Sequence, residues 1–272
     1  MPFLDLGTHR IHYQVHNPHD LTTRPLVLLH GLGSSGDDWL LQLTAFAQHN
    51  PVITLDLRGH GRSSIGPGWP AIAAYAEDVA QLVSELDLGP VHVLGLSLGG
   101  MVALQLALDR PECVRSLMIV NACARLRVGW RGWFRTLGRI FLLAIGRMDW
   151  LGAWIAAGIF PDPAQRDWRQ AAAERIAGNP RNSYTRALWA VARFNSVPRL
   201  GELRIPTLIV AGDRDTTISL DSKQLLAERI QGCRLVRLPE SGHATPYDAS
   251  ESFNPLVLGF LDEVERSGAN PD

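Results

Sequence analysis

Gly95-Leu96-Ser97-Leu98-Gly99-Gly100 joins an apolar run, Val91-His92-Val93-Leu94, to a helix-like run from Met101 to Leu108. A serine between glycines at a strand-to-helix junction fits a sharp turn that lifts the hydroxyl above the end of a sheet. The residues two before and two after such a serine are crowded, and a missing Cβ at both relieves the clash. Gly95 and Gly99 meet that requirement. A pattern this short also arises by chance, so its meaning rests on the rest of the chain.

Outward from the turn, strand-like and helix-like segments alternate. Apolar runs at 25–30, 52–56, 91–94, 115–121, 205–211 and 233–238 read as strands, the earlier ones of the kind buried on both faces. Helical spacing recurs around 37–49, from 71 to 86, after Ser97, at 219–230 and from about 249 to 266. Residues 3–6 and 9–16, split by Gly7-Thr8, suggest an opening hairpin with Ile11, Tyr13 and Val15 on one face. The alternation implies right-handed crossovers and an α/β fold, a mostly parallel twisted sheet flanked by helices. Sites in such sheets form at the carboxyl ends of strands. The loops carrying His30-Gly31, Ser97, Asp213/Asp215 and His243 all leave from those ends.

One segment breaks the pattern. Residues 125–200 contain no strand-like run, and we read them as a helical cap inserted between core segments 1–124 and 201–272. The insertion holds thirteen arginines against four acids, a surplus of nine positive charges in a chain whose net charge is -1. Arg127, Arg131, Arg135 and Arg139 recur every fourth residue, opposite a stripe of Trp130, Trp133, Phe134, Leu137 and Phe141. The plain reading is a solvated arginine face on a helix packed over the pocket. The sharper one is a surface that docks an acidic partner such as an acyl carrier protein, or an anionic membrane.

With 272 residues, 46% of them hydrophobic, the chain can bury a sizeable core. Its near-zero charge argues against a protein built to bind nucleic acid. Cys113, Cys123 and Cys233 are widely spaced and odd in number, which suggests neither a disulfide framework nor a zinc site. The N-terminus lacks the features of a signal peptide, and Ile140–Ile145, the longest strongly apolar stretch, is too short to span a bilayer. A cytoplasmic location is expected. His9, His12, His16 and His19 show no ligand spacing, so no metal is expected. The loop 31–36 lacks the Gly-Lys-Ser/Thr of a phosphate-binding loop.

A serine hydroxyl is a poor nucleophile at neutral pH and needs a base within reach, with a carboxylate fixing the base's tautomer. The chain offers Ser97, then Asp213 and Asp215 in Gly212-Asp-Arg-Asp-Thr-Thr-Ile218, then His243 in Ser241-Gly-His-Ala-Thr245. With His30-Gly31 after a strand and the turn Asp56-Leu-Arg-Gly-His-Gly-Arg-Ser63, these motifs make the chain resemble the α/β-hydrolase superfamily outside residues 125–200. The branch it is similar to contains cap-bearing serine esterases, enol-lactonases and methyl-ester esterases.

The resemblance implies Ser97 as nucleophile, His243 as base and then acid, and Asp215, three residues after the turn glycine, rather than Asp213 as the orienting carboxylate. Asn121 stands where some relatives place the acid and does not serve as one. The backbone N–H groups of Leu32 and Leu98 would form the oxyanion hole. His30 and His60 read as structural, and Asp56 and Arg58 as braces of a turn. The implied reaction is cleavage of a small to medium carboxylic ester through an acyl-enzyme, with no cofactor. Lactone or acyl-carrier-linked thioester hydrolysis, cofactor-free haloperoxidase or perhydrolase chemistry, and non-catalytic ligand binding are the alternatives.

Overall fold

The computed structural model describes residues 2–17, 23–126 and 130–268, and the side chains within them except those of 130–135 and 268. The opening hairpin is formed by β1 (Phe3–Asp5) and β2 (Arg10–His16), paired antiparallel. The apolar runs become β3 (Leu26–Leu29), β4 (Val52–Leu55), β5 (Val91–Leu96), β6 (Val114–Val120), β7 (Thr207–Gly212) and β8 (Arg234–Leu238). Together they make one eight-stranded sheet in the order β1-β2-β4-β3-β5-β6-β7-β8, parallel from β4 to β8. Tyr13 and Val15 pair with Leu55 and Ile53 and share the face of buried Ile11, with Val15 exposed near the strand end, while His12 turns inward to Asp56, 3.1 Å away. A buried carboxylate needs a partner, and His12 supplies it.

Alternation along the strands feeds two layers. Val27, Leu29, Ile53 and Leu55 face α2 (Ile72–Glu85) and α3 (Leu98–Asp109). Leu26, Leu28, Val52 and Leu94 face the layer that holds Phe46 of α1 (Leu40–Phe46) and Phe253 and Val257 of α10 (Ser250–Gly268). Each fully buried aliphatic side chain contributes on the order of 1.5–3 kcal/mol, so both layers are needed to hold the sheet. The helix expected near 37–49 is shorter. A 3₁₀ turn at Gly36–Trp39 precedes α1, because the Gly36 N–H is drawn 2.7 Å from Asp56 Oδ1.

Between β6 and β7 stand four helices: α4 (Trp130–Ala144), α5 (Met148–Ile159), α6 (Arg166–Gly178) and α7 (Arg181–Arg193). The neck of this insertion is closed by a bridge between Arg125 and Asn195 and by Ser196 N–H donating to Ala124 C=O at 2.9 Å. Of the four arginines expected to form a solvated face, Arg139 is the one whose side chain is described, and it lines the cavity. Arg139, Thr136 and Leu143 lie inward, whereas Leu137 and Phe141 are 45% and 61% exposed. Gly138 packs against the Trp154 ring, which turns the helix so that the residues beside Gly138 reach the interior. Arg127 lies outside the described residues, as do the side chains of Trp130, Arg131, Trp133, Phe134 and Arg135.

The parallel registers bring the carboxyl ends into one row: Leu29 stands beside Gly95, and Gly95 beside Ile119. The chain leaves β3 toward β4 on one side and reaches β5 on the other, so the strand order reverses between β3 and β5. Loops diverge there and open a crevice. The remaining helices are α8 (Leu220–Arg229) after β7 and the short α9 (Thr245–Asp248) after β8.

Candidate active site

Ser97 stands between β5 and α3 with φ of +54°, a left-handed backbone that side-chain-bearing residues seldom adopt. Its glycine neighbours permit this turn for two different reasons. A Cβ on Gly95 would run into the Gly99 carbonyl, as the crowding of the turn predicts. A Cβ on Gly99 would instead strike the carbonyl of Leu29 on the neighbouring strand. Gly99 is thus required by the contact between α3 and β3.

Ser97, Asp215, His243, Leu32 and Leu98 all line one cavity of about 980 Å³ under the helical insertion. Gly31 lies directly beside Ser97, its Cβ position 3.7 Å from Ser97 Cβ. Among the described residues, neither the Leu32 nor the Leu98 N–H has a hydrogen-bond acceptor. The Leu98 amide is also the first of α3, where unpaired N–H groups favour negative charge. No hydrogen bond joins Ser97 Oγ to His243 among the described residues, and apo sites often tighten such contacts only when loaded.

Asp215 is the carboxylate beside the imidazole. His243 Nδ1 is 3.0 Å from Oδ2 and 3.1 Å from Oδ1. The Thr217 and Ile218 N–H groups donate to Oδ1 at 2.8 and 3.1 Å. Lys223 Nζ donates to Oδ2 at 2.7 Å. Burial by itself would push the Asp215 carboxyl up. The charge of His243 and its hydrogen bond, followed by those of Lys223, hold it well below the ordinary carboxylate range. Asp213 points elsewhere and pairs with Arg237 at 2.7 Å.

The loop bearing His243 is held from two sides. Asn121 Nδ2 donates to the carbonyls of Gly242 and His243 at 3.0 and 2.9 Å, and to Thr245 Oγ1 at 2.7 Å, while its Oδ1 accepts the Gly212 N–H at 2.9 Å. Asp248 accepts the Gly242 N–H at 2.8 Å and the Ser241 hydroxyl at 2.7 Å. Asn121 therefore braces the site although it cannot act as an acid. The motif reading passed over this role because it depends on contacts across more than 90 residues.

On the opposite wall, Asp38 forms an ion pair with Arg175 of α6 at 2.8 Å and accepts hydrogen bonds from Ser34 and Tyr247. Arg175 also donates to Ser35 at 2.9 Å, so the insertion is tied to the loop that follows β3. Arg139, by contrast, has no hydrogen-bond or ion-pair partner among the described residues. His30 is buried; its Nδ1 contacts the Gly31 carbonyl at 2.8 Å, and its Nε2 accepts the Leu57 N–H at 2.9 Å. Arg58 pairs with Asp78, and Asp56 accepts the Gly36 and Arg62 N–H groups, so both brace turns. No group of three metal-ligating side chains occurs among the described residues, and no helix among them is long and apolar enough to cross a membrane.

Comparison with known proteins adds to this geometry. A family model described as alpha/beta hydrolase fold matches residues 24–250. The chain is 34% identical to a protein of Variovorax paradoxus named as a carbamate hydrolase, RutD, across 95% of this chain and 98% of that protein. It is 29% identical to a crystallised hydrolase from Pseudomonas aeruginosa, with a TM-score of 0.86 over 96% of this chain and 97% of the other. An enol-lactonase from Burkholderia xenovorans shares the fold with a TM-score of 0.88 at 22% identity, covering 96% and 100% of the two chains.

Proposed function

Because the chain belongs to the α/β-hydrolase fold family, we propose that it is a serine hydrolase cleaving a small to medium carboxylic ester through an acyl-enzyme at Ser97. The observation that carries the reading is the meeting, in one cavity, of Ser97 on a strained turn, His243 hydrogen-bonded to Asp215, and two acceptor-free amides. His243 Nε2 takes the proton of Ser97 Oγ as the oxygen bonds to the ester carbonyl carbon, and the carbonyl π electrons move onto its oxygen. The N–H groups of Leu32 and Leu98 receive that oxyanion; one such donor is typically worth about 10²–10³ in rate. Asp215, on Nδ1, holds the tautomer that leaves Nε2 free to accept, and stabilises the imidazolium.

The tetrahedral species collapses when the C–O bond to the alcohol breaks and His243 returns the proton to the leaving oxygen. Water then gives a proton to His243 and attacks the Ser97 ester. A second collapse releases the acid and restores the Ser97 hydroxyl. The cavity is large enough for a drug-sized ligand.

A carbamate offers the same carbonyl to the same groups, and the extended identity to a protein named as a carbamate hydrolase favours it as the second reading. A panel of esters, lactones, thioesters and carbamates, assayed with the wild-type protein and Ser97→Ala, separates them. Ester hydrolysis abolished in Ser97→Ala supports the first reading. Turnover confined to carbamates supports the second.

A further inference from the structure

The chain contains one lysine, Lys223, and the fold buries it against the candidate site. Its side chain is 1% exposed, and Nζ lies 2.7 Å from Asp215 Oδ2 and 3.5 Å from the Gly212 carbonyl. An ammonium is costly to bury, and a charged pair with good geometry is the condition under which burial is tolerated. Asp215 does not need it for orientation alone: two backbone amides already hold Oδ1, and His243 spans both oxygens. The ammonium instead places a full positive charge on the oxygen that is nearer the imidazole.

We propose that Lys223 is a positioning residue that acts through Asp215 on the Asp215–His243 pair, cancelling the carboxylate charge so that His243 stays in its proton-accepting form into more acidic solution. The inference rests on the reading of Ser97, Asp215 and His243 given above. With Lys223 charged, Asp215 and Lys223 sum to zero, and a proton on His243 makes the cluster positive. Without the ammonium, the same proton makes the cluster neutral and is held more firmly.

The other charged and titratable groups around the cluster are spectators to this substitution. Asp213, paired with Arg237, and the Cys123 thiol face Lys223. Asp248 stands behind the His243 loop, and Asp38, Arg175 and Arg139 line the cavity with His243.

The test is the pH profile of kcat/KM on p-nitrophenyl acetate for the wild-type protein, Lys223→Gln and Lys223→Met. The acid limb moves to higher pH by about one unit in both variants, roughly a tenfold loss on the acid side that recovers as the pH rises. Glutamine retains a hydrogen-bond donor without the charge, so its shift isolates the electrostatic part. An unmoved limb in a folded variant, or a loss equal at all pH values, overturns the proposal.

A second measurement needs no substitution at Lys223. Protein labelled with [ζ-¹⁵N]lysine gives a single side-chain signal, which shifts with a titration that disappears in His243→Gln. A signal unresponsive to that titration also overturns the proposal. Ser97→Ala separates the two levels of inference. If it is inactive while the limb stays put, only the role of Lys223 falls. If it remains active, the triad falls and takes this role with it.

Discussion

Asn121 Nδ2 lies 2.9 Å from the carbonyl oxygen of His243, so the end of β6 holds the loop that presents the imidazole. The same side chain accepts the Gly212 N–H and thereby ties β7, which leads into the Asp215 turn, to that loop. The amide is fully buried. Asn121→Ala leaves two carbonyls and one amide without these partners and is expected to cost about 2–4 kcal/mol, since each buried group left unpaired costs about 1–3 kcal/mol. Urea unfolding measures that cost, and a lower kcat at little-changed KM registers the freed imidazole loop.

Gly99 offers a test of the turn itself. Its missing side chain lets α3 lie against the Leu29 carbonyl, a contact between backbones that cannot yield as a flexible side chain would. Gly99→Ala is expected to destabilise by more than about 3 kcal/mol or to prevent soluble expression, placing it in the range where a named steric mechanism is required. Gly158→Ala, at a position where an added Cβ meets nothing within 4 Å, is the control and is expected to leave the melting temperature within a few degrees of wild type.

Acid stability follows from buried histidines outside the reactive pair. Burial pushes His92 down to about 4, against the opposing pull of Glu265, and His60 down to about 3 with His30 adding to the effect. These folded-state values lie below the unfolded value of about 6.5. The unfolded chain therefore binds the extra protons, and the stabilisation is complete above pH ~6.5. It drains as pH falls toward the folded values, by about 1.4 kcal/mol per pH unit for each histidine. His92→Gln removes one titrating group, so its unfolding free energy changes less steeply between about pH 6 and pH 4. An unchanged slope contradicts the assignment.

Much of this architecture is legible in the sequence because strands buried on both faces leave continuous apolar runs, and the β3 to β7 runs stand out for that reason. The turn at Ser97 is set in part by a local clash, that of a Cβ on Gly95 with the Gly99 carbonyl, which sequence records directly. Contacts between distant segments are not recorded that way. Asn121 looked inert because its partners lie in the His243 loop, and nothing in the sequence around Lys223 tells that α8 sets it against Asp215. The inward place of Arg139 was missed for a related reason. An amphipathic stripe says which residues share a side, whereas the packing of Gly138 on Trp154 decides which side turns inward.

Everything proposed for this site depends on Ser97 as the nucleophile activated by His243 and Asp215. Intact-mass and peptide analysis after treatment with a fluorophosphonate test it most directly. One adduct per chain is expected, carried by Ser97, lost in Ser97→Ala and formed far more slowly in His243→Ala. A folded wild-type protein that stays unlabelled, or an adduct that persists in Ser97→Ala, would contradict it.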